Sequence, residues 1–325
     1  MKALVVGSSG QDGYYLTRQL QARGVMVFGC NRQGLFGPDG GFLGPLDVTC
    51  PESVQQVVAA WRFDRIFYLA AWHHASEESP GAVTEGMGRS WAIHCQGLIH
   101  FLDSLRVMHP TGRLFYAASS HVFGQPDFIP QNEMTPFRAI TPYGITKAGG
   151  IQICRMMRAR YHLFASVGIL YNHESPRRGA RFLTRRMVRA AVAIARGCSE
   201  ELVLGDLHAQ VDWGYAPEYT DAMIRILESD QPDDFIVATG RLHRVCDLAE
   251  AVFGCLGLDW RLHVREDASL LHKVHETGVL VGDWSRLQRA TGWEPTTALD
   301  RLAHILVQAE LERFRGGSRS QVSKD

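Results

Sequence analysis

The sequence predicts an α/β protein built on a doubly wound parallel sheet, and three observations support this. Short β-rich apolar runs alternate with helix-length amphipathic segments through residues 1–170, as expected for parallel strands joined by right-handed crossovers. Several of these runs are continuously apolar, as in strands buried on both faces. A glycine-rich turn follows the first run, and the elements after Leu170 are shorter and more irregular. We therefore predict a Rossmann-type sheet with a smaller α/β carboxyl-terminal substrate lobe.

The elements follow in order from apolar runs, which predict strands, and from the amphipathic segments between them, which predict helices. The strands are expected at Ala3–Gly7, Val25–Cys30, Arg65–Leu69, Arg113–Ala118 and Ala165–Leu170. The helices are expected at Asp12–Arg23, Pro51–Ala60, Ser90–Met108 and Pro142–Tyr161. A helix at Pro217–Leu227 and a strand at Phe235–Ala238 would return to the same sheet, and a helix at Ala298–Arg315 would close the smaller lobe.

These elements divide the chain into two units. The cofactor domain is expected to comprise 1–171 with about 212–240, and the substrate lobe 172–211 with 241–315. The tail 316–325 has no apolar anchor, so we expect it to be disordered.

Composition excludes several classes of protein. The 325 residues carry 34 Lys plus Arg and 34 Asp plus Glu, a balance that argues against nucleic-acid and polybasic membrane partners. No apolar run approaches the roughly 18 residues of a membrane span. The start lacks a signal peptide's cleavage site, and the seven cysteines form no CxxC pair. We therefore expect a cytoplasmic protein with reduced thiols. The 14 histidines show no HxH or HExxH spacing, so no metal is expected.

A glycine-rich loop, Gly7-Ser8-Ser9-Gly10-Gln11-Asp12-Gly13, lies between the first strand and the first helix. Glycines in that place let the backbone turn tightly and approach a pyrophosphate at the positive end of the helix. The spacing is GxxGxxG rather than GxGxxG, and glycines can also mark an ordinary turn. The position between strand and helix favours a dinucleotide site.

The end of the second strand indicates which dinucleotide is bound. An NAD enzyme usually has an acidic residue there for the ribose 2′-hydroxyl, whereas this chain has Cys30-Asn31-Arg32-Gln33. Arg32 could pair with a 2′-phosphate, which favours NADP(H); the alternative is a solvated loop arginine. Asp47 could accept a hydrogen bond from the adenine amino group or could cap a turn or helix.

Tyr143 and Lys147 form a Y-x-x-x-K pair on one face of a predicted helix. An ammonium beside a phenol favours the phenolate, so we expect the pKa of Tyr143 to be lowered. The phenolate could then take a proton from a hydroxyl while hydride leaves the same carbon. Ser119 ends the fourth strand, at the sheet edge where open α/β proteins bind ligands. The alternative is an ordinary surface pair.

With these motifs the sequence resembles the extended short-chain dehydrogenase/reductases that modify nucleotide sugars, most of all the GDP-mannose 4,6-dehydratases. Further stretches that carry the resemblance are Asn172–Gly179 (NHESPRRG), Asp212–Gly214 (DWG), Pro232–Gly240 (PDDFIVATG) and Gly292–Pro295 (GWEP). The resemblance implies an NADP(H)-binding Rossmann domain and a lobe that binds the nucleotide sugar. It also implies a reaction that oxidises C4, eliminates water across C5–C6 and returns the hydride to C6.

The resemblance assigns expected roles to individual residues. The catalytic set is Ser119, His121, Tyr143 and Lys147. The cofactor set is Gly7, Gly10, Gln11, Asp12, Gly13, Arg32, Asp47, Leu69, Ala70, Ala71, Tyr143, Lys147 and His173. The substrate set is His74, Asn172, Arg178, Arg185, Arg186, Lys273 and Glu276. Among the six arginines between Arg177 and Arg189, we expect only two or three to touch a ligand, because a solvated helix face is the alternative for the others.

Two departures from the family pattern matter most for the reaction. Val211 stands where the family has an arginine that contacts a phosphate. His121 stands where the family has the glutamate that removes the C5 proton. A dehydratase acting on a GDP-hexose or GDP-heptose is therefore the first hypothesis. A 4-keto-sugar reductase or C4 epimerase without the elimination is the second, and a catalytically silent NADP-binding regulator is the third.

Two helical features concern packing rather than chemistry. His94 stands where relatives usually carry an asparagine, and a structural hydrogen bond is the favoured interpretation. The helices Ser90–Met108 and Pro142–Tyr161 resemble the pair that forms a four-helix dimer interface in this superfamily, so we expect a homodimer. The alternative for these two helices is intramolecular packing.

Overall fold

The computed structural model describes residues 1–72, 83–267, 269 and 278–321. Its strands are β1 Lys2–Val6, β2 Met26–Asn31, β3 Gly34–Phe36, β4 Phe42–Gly44, β5 Arg65–Tyr68, β6 Arg113–Ser119, β7 Phe164–Leu170, β8 Asn172–Glu174, β9 Leu202–Leu204, β10 Gln210–Val211, β11 Trp213–Tyr215, β12 Asp234–Val237, β13 His243–Arg244 and β14 Val264–Glu266. Its α-helices are α1 Gln11–Ala22, α2 Pro51–Trp61, α3 Val83–Trp91, α4 Leu98–Met108, α5 Pro142–Tyr161, α6 Leu183–Ala195, α7 Ala216–Glu228, α8 Val245–Gly254, α9 Ser285–Thr291 and α10 Leu299–Gln321.

The main sheet has eight strands in the order β12-β7-β6-β5-β1-β2-β3-β4. The six strands from β12 to β2 pair in parallel, which confirms the predicted doubly wound sheet. β3 and β4 add an antiparallel extension beyond β2 that the sequence did not predict. Gly34 makes the reversal possible: its φ is +133°, and a Cβ there would lie 2.4 Å from the Gly44 carbonyl oxygen.

Helices cover both faces of this sheet because its strands are apolar on both sides. One face packs against α2, α4 and α5, with Tyr68 and Tyr116 fully buried in that cluster. The other face packs against α1, α7 and α9, with Phe67 and Phe115 at its centre. The carboxyl ends of the strands remain uncovered by these helices, which leaves one edge of the sheet for a ligand.

The smaller unit has its own core, formed by α6, α8, α10 and the parallel pair β9–β14. The chain returns from it to the main sheet at β12, as the sequence predicted. One predicted boundary was wrong: α9 falls in the range 241–315 assigned to the lobe, yet Leu287 is buried with α7 and β12 in the large domain. α10 also continues to Gln321, past the predicted end at Arg315. Residues 322–325 lie outside the described chain.

Asp212 joins the two units where the chain passes between them. Its buried carboxylate accepts hydrogen bonds from Thr239 N (2.9 Å), Gly240 N (3.0 Å) and Gly282 N (3.3 Å). The first two amides are neighbours in the chain and the third lies in a separate segment, so one side chain joins two other passages of the chain to its own. Among the described helices, none combines the length and the apolar character needed to cross a membrane.

Candidate active site

The glycine loop has the geometry of an anion-binding turn. Gly7 has a φ of +99°, and its N–H and that of Ser8 donate to the Cys30 carbonyl at 2.8 and 3.0 Å. A Cβ at Gly13 would lie 2.4 Å from the Gly7 oxygen, so only glycine lets α1 approach the loop this closely. Gly10 caps α1 without a side-chain hydrogen bond. The first N–H groups of α1 therefore suit a pyrophosphate.

The residues after β5 lie against this loop, as the sequence analysis expected. Leu69 N donates to the Val6 carbonyl at 2.9 Å. A Cβ at Gly7 would lie 3.1 Å from the Ala70 nitrogen, so the two chain segments are in close contact. Ala71 is exposed and lies at the same edge of the sheet. The geometry fits a dinucleotide that crosses the ends of β1 and β5.

Arg32 is exposed at the end of β2, and its guanidinium carbon lies 5.9 Å from the centre of the Trp72 indole. Asn31 accepts a hydrogen bond from Gln33 N at 2.8 Å, so the β2 end presents no carboxylate. Asp47 accepts from the backbone and hydroxyl of Thr49 at 2.8 and 2.7 Å. The turn-forming interpretation therefore holds for Asp47, and its adenine contact stays a prediction.

Three of the predicted cofactor residues contact one another in the structure. His173 Nε2 lies 3.1 Å from both carboxylate oxygens of Asp12, and Gln11 donates to the His173 carbonyl at 3.0 Å. Burial disfavours the charged form of both groups, but the attraction between the two opposite charges outweighs it. The pKa of His173 is therefore raised and that of Asp12 is lowered. His173 also stacks on Tyr219, with 4.6 Å between ring centres. This ion pair fixes β8 to the first turn of α1.

Ser119 and Tyr143 meet at the carboxyl edge of the sheet. Ser119 ends β6, and Tyr143 lies in the first turn of α5, which Thr141 caps through Gly144 N. The nearby Ser119 hydroxyl acts to lower the pKa of the Tyr143 phenol and so favours the phenolate. The two hydroxyl groups that the sequence analysis proposed for a proton transfer thus lie at the same edge, and their catalytic role stays a prediction.

The predicted effect of Lys147 on Tyr143 was wrong in this structure. Burial raises the pKa of Tyr143 to about 12 and lowers that of Lys147 to about 7. The Lys147 ammonium donates to the Ala117 carbonyl at 2.6 Å and lies 5.8 Å from the Tyr143 ring centre. The cation that lowers the pKa of Tyr143 is Arg178 instead. Helical spacing placed the two side chains on one face, but it did not determine where the ammonium points.

Two histidine rings lie edge-on to Tyr143. The His121 ring centre is 5.9 Å away at an interplanar angle of 89°, and that of His94 is 5.3 Å away at 87°. His121 is partly exposed, and its backbone N–H donates to Ser119 Oγ at 3.3 Å. His94 is fully buried. His121 is therefore placed to reach a bound substrate, whereas His94 lies behind the site.

His94 makes structural hydrogen bonds of the kind that the sequence analysis favoured. Its Nε2 accepts from Trp72 N at 3.0 Å, and its Nδ1 lies 2.8 Å from Thr146 Oγ1. A backbone N–H can only donate, so Nε2 must be unprotonated and Nδ1 carries the proton. His94 thus joins the segment after β5 to the first turns of α5.

The predicted substrate residues separate into different groups. Arg178 forms an ion pair with Glu174 at 3.2 Å, and its charge lowers the pKa of Tyr143; its contact with a substrate stays a prediction. Arg185 instead forms an ion pair with Glu310 of α10 at 2.5 Å, so its side chain joins two helices. Asn172 is exposed on β8 and Arg186 is half-buried on α6. Of the predicted set, His74, Lys273 and Glu276 lie outside the described residues.

The departure at Val211 lies on a short antiparallel pair. Val211 is opposite His243 in the β10–β13 ladder, so their side chains lie on one face of the pair. Val211 itself is half-buried against the core of the smaller unit. In the described chain, no cluster of three or more histidine, cysteine or acidic residues could hold a metal ion.

Trp72 is the residue of this region that the sequence analysis missed. Its indole lies near Arg32 and near Arg89 of α3. The guanidinium carbon of Arg89 is 5.0 Å from the ring centre. The only signal in the sequence was a tryptophan directly after a strand that ends at the ligand edge.

Comparison with known proteins shows what the chain resembles. The family model described as GDP-mannose 4,6 dehydratase matches residues 4–306. GDP-mannose 4,6 dehydratase 2 of Arabidopsis thaliana is 34% identical, over 95% of this chain and 87% of that protein. The GDP-mannose 4,6-dehydratase of Sinorhizobium fredii (strain HH103) is 33% identical, over 97% of each chain.

Solved structures show the same fold at lower identity. RMD from Pseudomonas aeruginosa, complexed with NADPH, superposes with a TM-score of 0.81 at 20% identity, covering 96% of this chain and 99% of that one. A UDP-glucose 4-epimerase from Thermotoga maritima also gives a TM-score of 0.81, at 18% identity, over 97% of this chain and all of that one. The whole described architecture is therefore one that nucleotide-sugar enzymes use.

Proposed function

Because the chain belongs to the GDP-mannose 4,6-dehydratase family, we propose that it is an NADP(H)-dependent nucleotide-sugar dehydratase acting on a GDP-hexose or GDP-heptose. One observation carries the proposal. The Ser119 and Tyr143 side chains lie close to each other at the carboxyl edge of the sheet, in a chain that matches the family model over residues 4–306. That edge is where open parallel sheets bind their ligands.

The residues present fit a dinucleotide with a 2′-phosphate. The amides of the glycine loop and of the first turn of α1 would hold the pyrophosphate. Arg32 would face the 2′-phosphate at the end of β2. NADP(H), when bound, supplies a hydride acceptor that becomes the hydride donor later in the same turnover. An unchanged cofactor over the whole reaction is consistent with a dehydration, which is redox-neutral.

Tyr143 would take the proton of the C4 hydroxyl as that carbon is oxidised, and Ser119 would share the hydrogen bond of the same oxygen. With a pKa of about 12, the phenol is protonated at neutral pH and needs a nearby positive charge. Arg178 already contributes to that value by lowering it, so the further positive charge would have to come with the cofactor, from the oxidised nicotinamide. Lys147, hydrogen-bonded to the Ala117 carbonyl, would lie at the sheet edge under the cofactor.

His121 would perform the elimination that the family assigns to a glutamate. Its imidazole takes the proton from C5 of the 4-keto sugar, the C6–O bond breaks as the C5–C6 double bond forms, and the oxygen leaves as water with the proton from His121. Imidazole has an unperturbed pKa near 6.5, so it can both accept and donate a proton around neutral pH. The 5.9 Å between the His121 and Tyr143 rings matches two groups that act on neighbouring carbons.

A panel of nucleotide sugars, incubated with the protein with and without added NADPH and analysed by mass spectrometry, tests this function. A dehydratase yields a product lighter by one water, without net consumption of NADPH. A product heavier by two hydrogens would indicate a reductase, and a new isomer of unchanged mass a C4 epimerase; either outcome would refute the dehydratase.

The His121→Asn variant tests the assignment of the base, because asparagine keeps a hydrogen-bonding side chain but cannot titrate. We expect deuterium from the solvent to enter at C5 in the unmodified protein and not in His121→Asn, while C4 oxidation persists. Exchange at C5 at the full rate in His121→Asn would show that another residue is the base.

We also propose a homodimer that packs α4 and α5 against their copies. Three large apolar side chains on these helices are exposed: Ile99 on α4 by 38%, and Ile145 and Met156 on α5 by 40% and 44%. Such exposure of apolar side chains on neighbouring helices is unusual for a monomer. Sedimentation velocity should give a dimer for the unmodified chain and a monomer for Ile145→Glu/Met156→Glu. A monomeric unmodified chain would refute the proposal.

A further inference from the structure

We propose that Arg89 and Trp72, together with Arg32, form the binding site for the 2′-phosphate of NADP(H); this rests on the proposed cofactor. Neither Arg89 nor Trp72 belongs to a motif in the sequence. Arg89 lies on α3 and Trp72 comes after β5, so the site is assembled from three separate elements. We call these three residues the arginine–tryptophan cluster.

Two guanidinium groups converge on one indole in this cluster. The guanidinium carbon of Arg32 lies 5.9 Å from the Trp72 ring centre, and that of Arg89 lies 5.0 Å from it. Arg32 comes directly after β2, where a Rossmann-type sheet places the ribose of the adenosine. Both distances are within the range of cation–π attraction. The indole can therefore hold both guanidinium groups near that ribose.

The backbone of Trp72 is held in place by a buried histidine. Its backbone N–H donates to the fully buried His94 at 3.0 Å, and His94 in turn contacts Thr146 of α5 at 2.8 Å. A backbone position fixed by a buried side chain loses little further entropy when a ligand binds. The backbone that carries the indole is thus fixed before a ligand binds.

The charge of the cluster calls for an anion. The carboxylate that pairs with Arg89 is Glu85, at 2.6 Å, and the two side chains are 54% and 61% exposed. Among the described residues, the two arginines of the cluster face this one carboxylate, which leaves one positive charge in excess. A phosphomonoester carries about −1.5 to −2 charges at pH 7 and accepts bidentate hydrogen bonds from guanidinium groups. The 2′-phosphate is the group of NADP(H) that combines this charge with a position at the end of β2.

A similar pair elsewhere in the chain lacks this charge excess. The guanidinium carbon of Arg261 lies 4.9 Å from the Trp260 ring centre, but Arg261 contacts two carboxylates, those of Glu250 and Asp259, at 3.2 and 3.3 Å. That pair needs no external anion. Arg261→Ala is therefore a matched control, since it removes an exposed arginine from an indole without removing an anion site.

Isothermal titration of the full chain with NADPH and with NADH tests the proposal. Losing one guanidinium contact to a phosphate should weaken NADPH binding about 10- to 100-fold. We expect this loss in Arg89→Ala, with NADH affinity unchanged, and no change for either cofactor in Arg261→Ala. Trp72→Leu should weaken NADPH binding selectively as well, because its loss frees both guanidinium groups.

The outcomes separate this inference from the proposed function. Equal losses for NADPH and NADH in Arg89→Ala, or no loss at all, would overturn the role of Arg89 while leaving the cofactor intact. If the unmodified chain bound NADH as tightly as NADPH, the choice of NADP(H) itself would fail, and this inference with it.

Discussion

Replacing Lys147 with methionine should make the protein more stable. Lys147 is 1% exposed, and burial lowers its pKa from 10.5 to about 7. Between these two values the unfolded chain still holds the proton that the folded chain has released. The free energy of unfolding of the unmodified protein therefore rises with pH in this range, by about 1.4 kcal/mol per unit. Below pH 7 the burial penalty has its full value.

The size of the gain can be worked out from the same shift. The burial of Lys147 lowers the free energy of unfolding by about 4 kcal/mol at pH 7 and by about 2 kcal/mol at pH 9. Methionine has a similar length and no charge, but it loses the 2.6 Å hydrogen bond to the Ala117 carbonyl, worth about 1 kcal/mol. Lys147→Met should thus gain about 3 kcal/mol at pH 7 and about 1 kcal/mol at pH 9.

Urea unfolding followed by circular dichroism at pH 7 and pH 9 measures both gains. Lys2→Met is the control, because the Lys2 ammonium also donates to a backbone carbonyl, that of Trp61 at 3.2 Å, but at the rim of the sheet. Lys2→Met, measured at both pH values, gives the effect of removing a lysine that is not fully buried. If Lys147→Met were less stable than the unmodified chain at pH 7, or gained equally at both pH values, the argument from burial would be refuted.

Three further predictions concern the site. Tyr143→Phe should lower turnover about 100-fold or more while calorimetry shows unchanged NADPH binding; normal turnover would exclude Tyr143 as the proton acceptor. Arg178→Gln removes the cation that lowers the pKa of Tyr143, so the pH–rate profile should move to higher pH, and an unmoved profile would contradict this. The Asp12–His173 pair stabilises above pH 3.8, because the pKa of Asp12 is lowered, and weakens as pH rises past the raised pKa of His173, above 6.5. Calorimetry should therefore show a larger loss of Tm in Asp12→Asn at pH 5.5 than at pH 9, and equal losses would count against the ion pair.

The sequence predicted the large domain well because its elements carry strong local signals. The predicted helix Pro142–Tyr161 has the bounds of α5, and the predicted strand Arg65–Leu69 ends one residue beyond β5. Strands such as β10 and β13 are two residues long, too short for any periodic pattern. β3 and β4 depend on the reversal at Gly34, which an apolar pattern does not reveal.

The sequence predicts a site residue where a motif places it at a strand end or a helix start. It does not predict the partner of a side chain when that partner is distant in the sequence. Ser119 and Tyr143 were predictable from their places at a strand end and a helix start. The ion pair of Arg185 with Glu310 joins residues far apart in the sequence, so local spacing could not distinguish it from a ligand contact. Lys147 was misjudged for the same reason, because the Ala117 carbonyl that holds it belongs to the strand beneath.

The repeated passage of the chain between its two units has a mechanical consequence. The chain returns to the main sheet at β12, leaves it for α8, comes back at α9 and ends on the smaller core with α10. Domains that open by a hinge motion are joined by one or two connecting segments. Here several connections, three of them fastened by Asp212, would all have to bend together. Relative motion of the two units is thus restricted to small sliding displacements, and neither unit can be excised as one continuous fragment with its core complete.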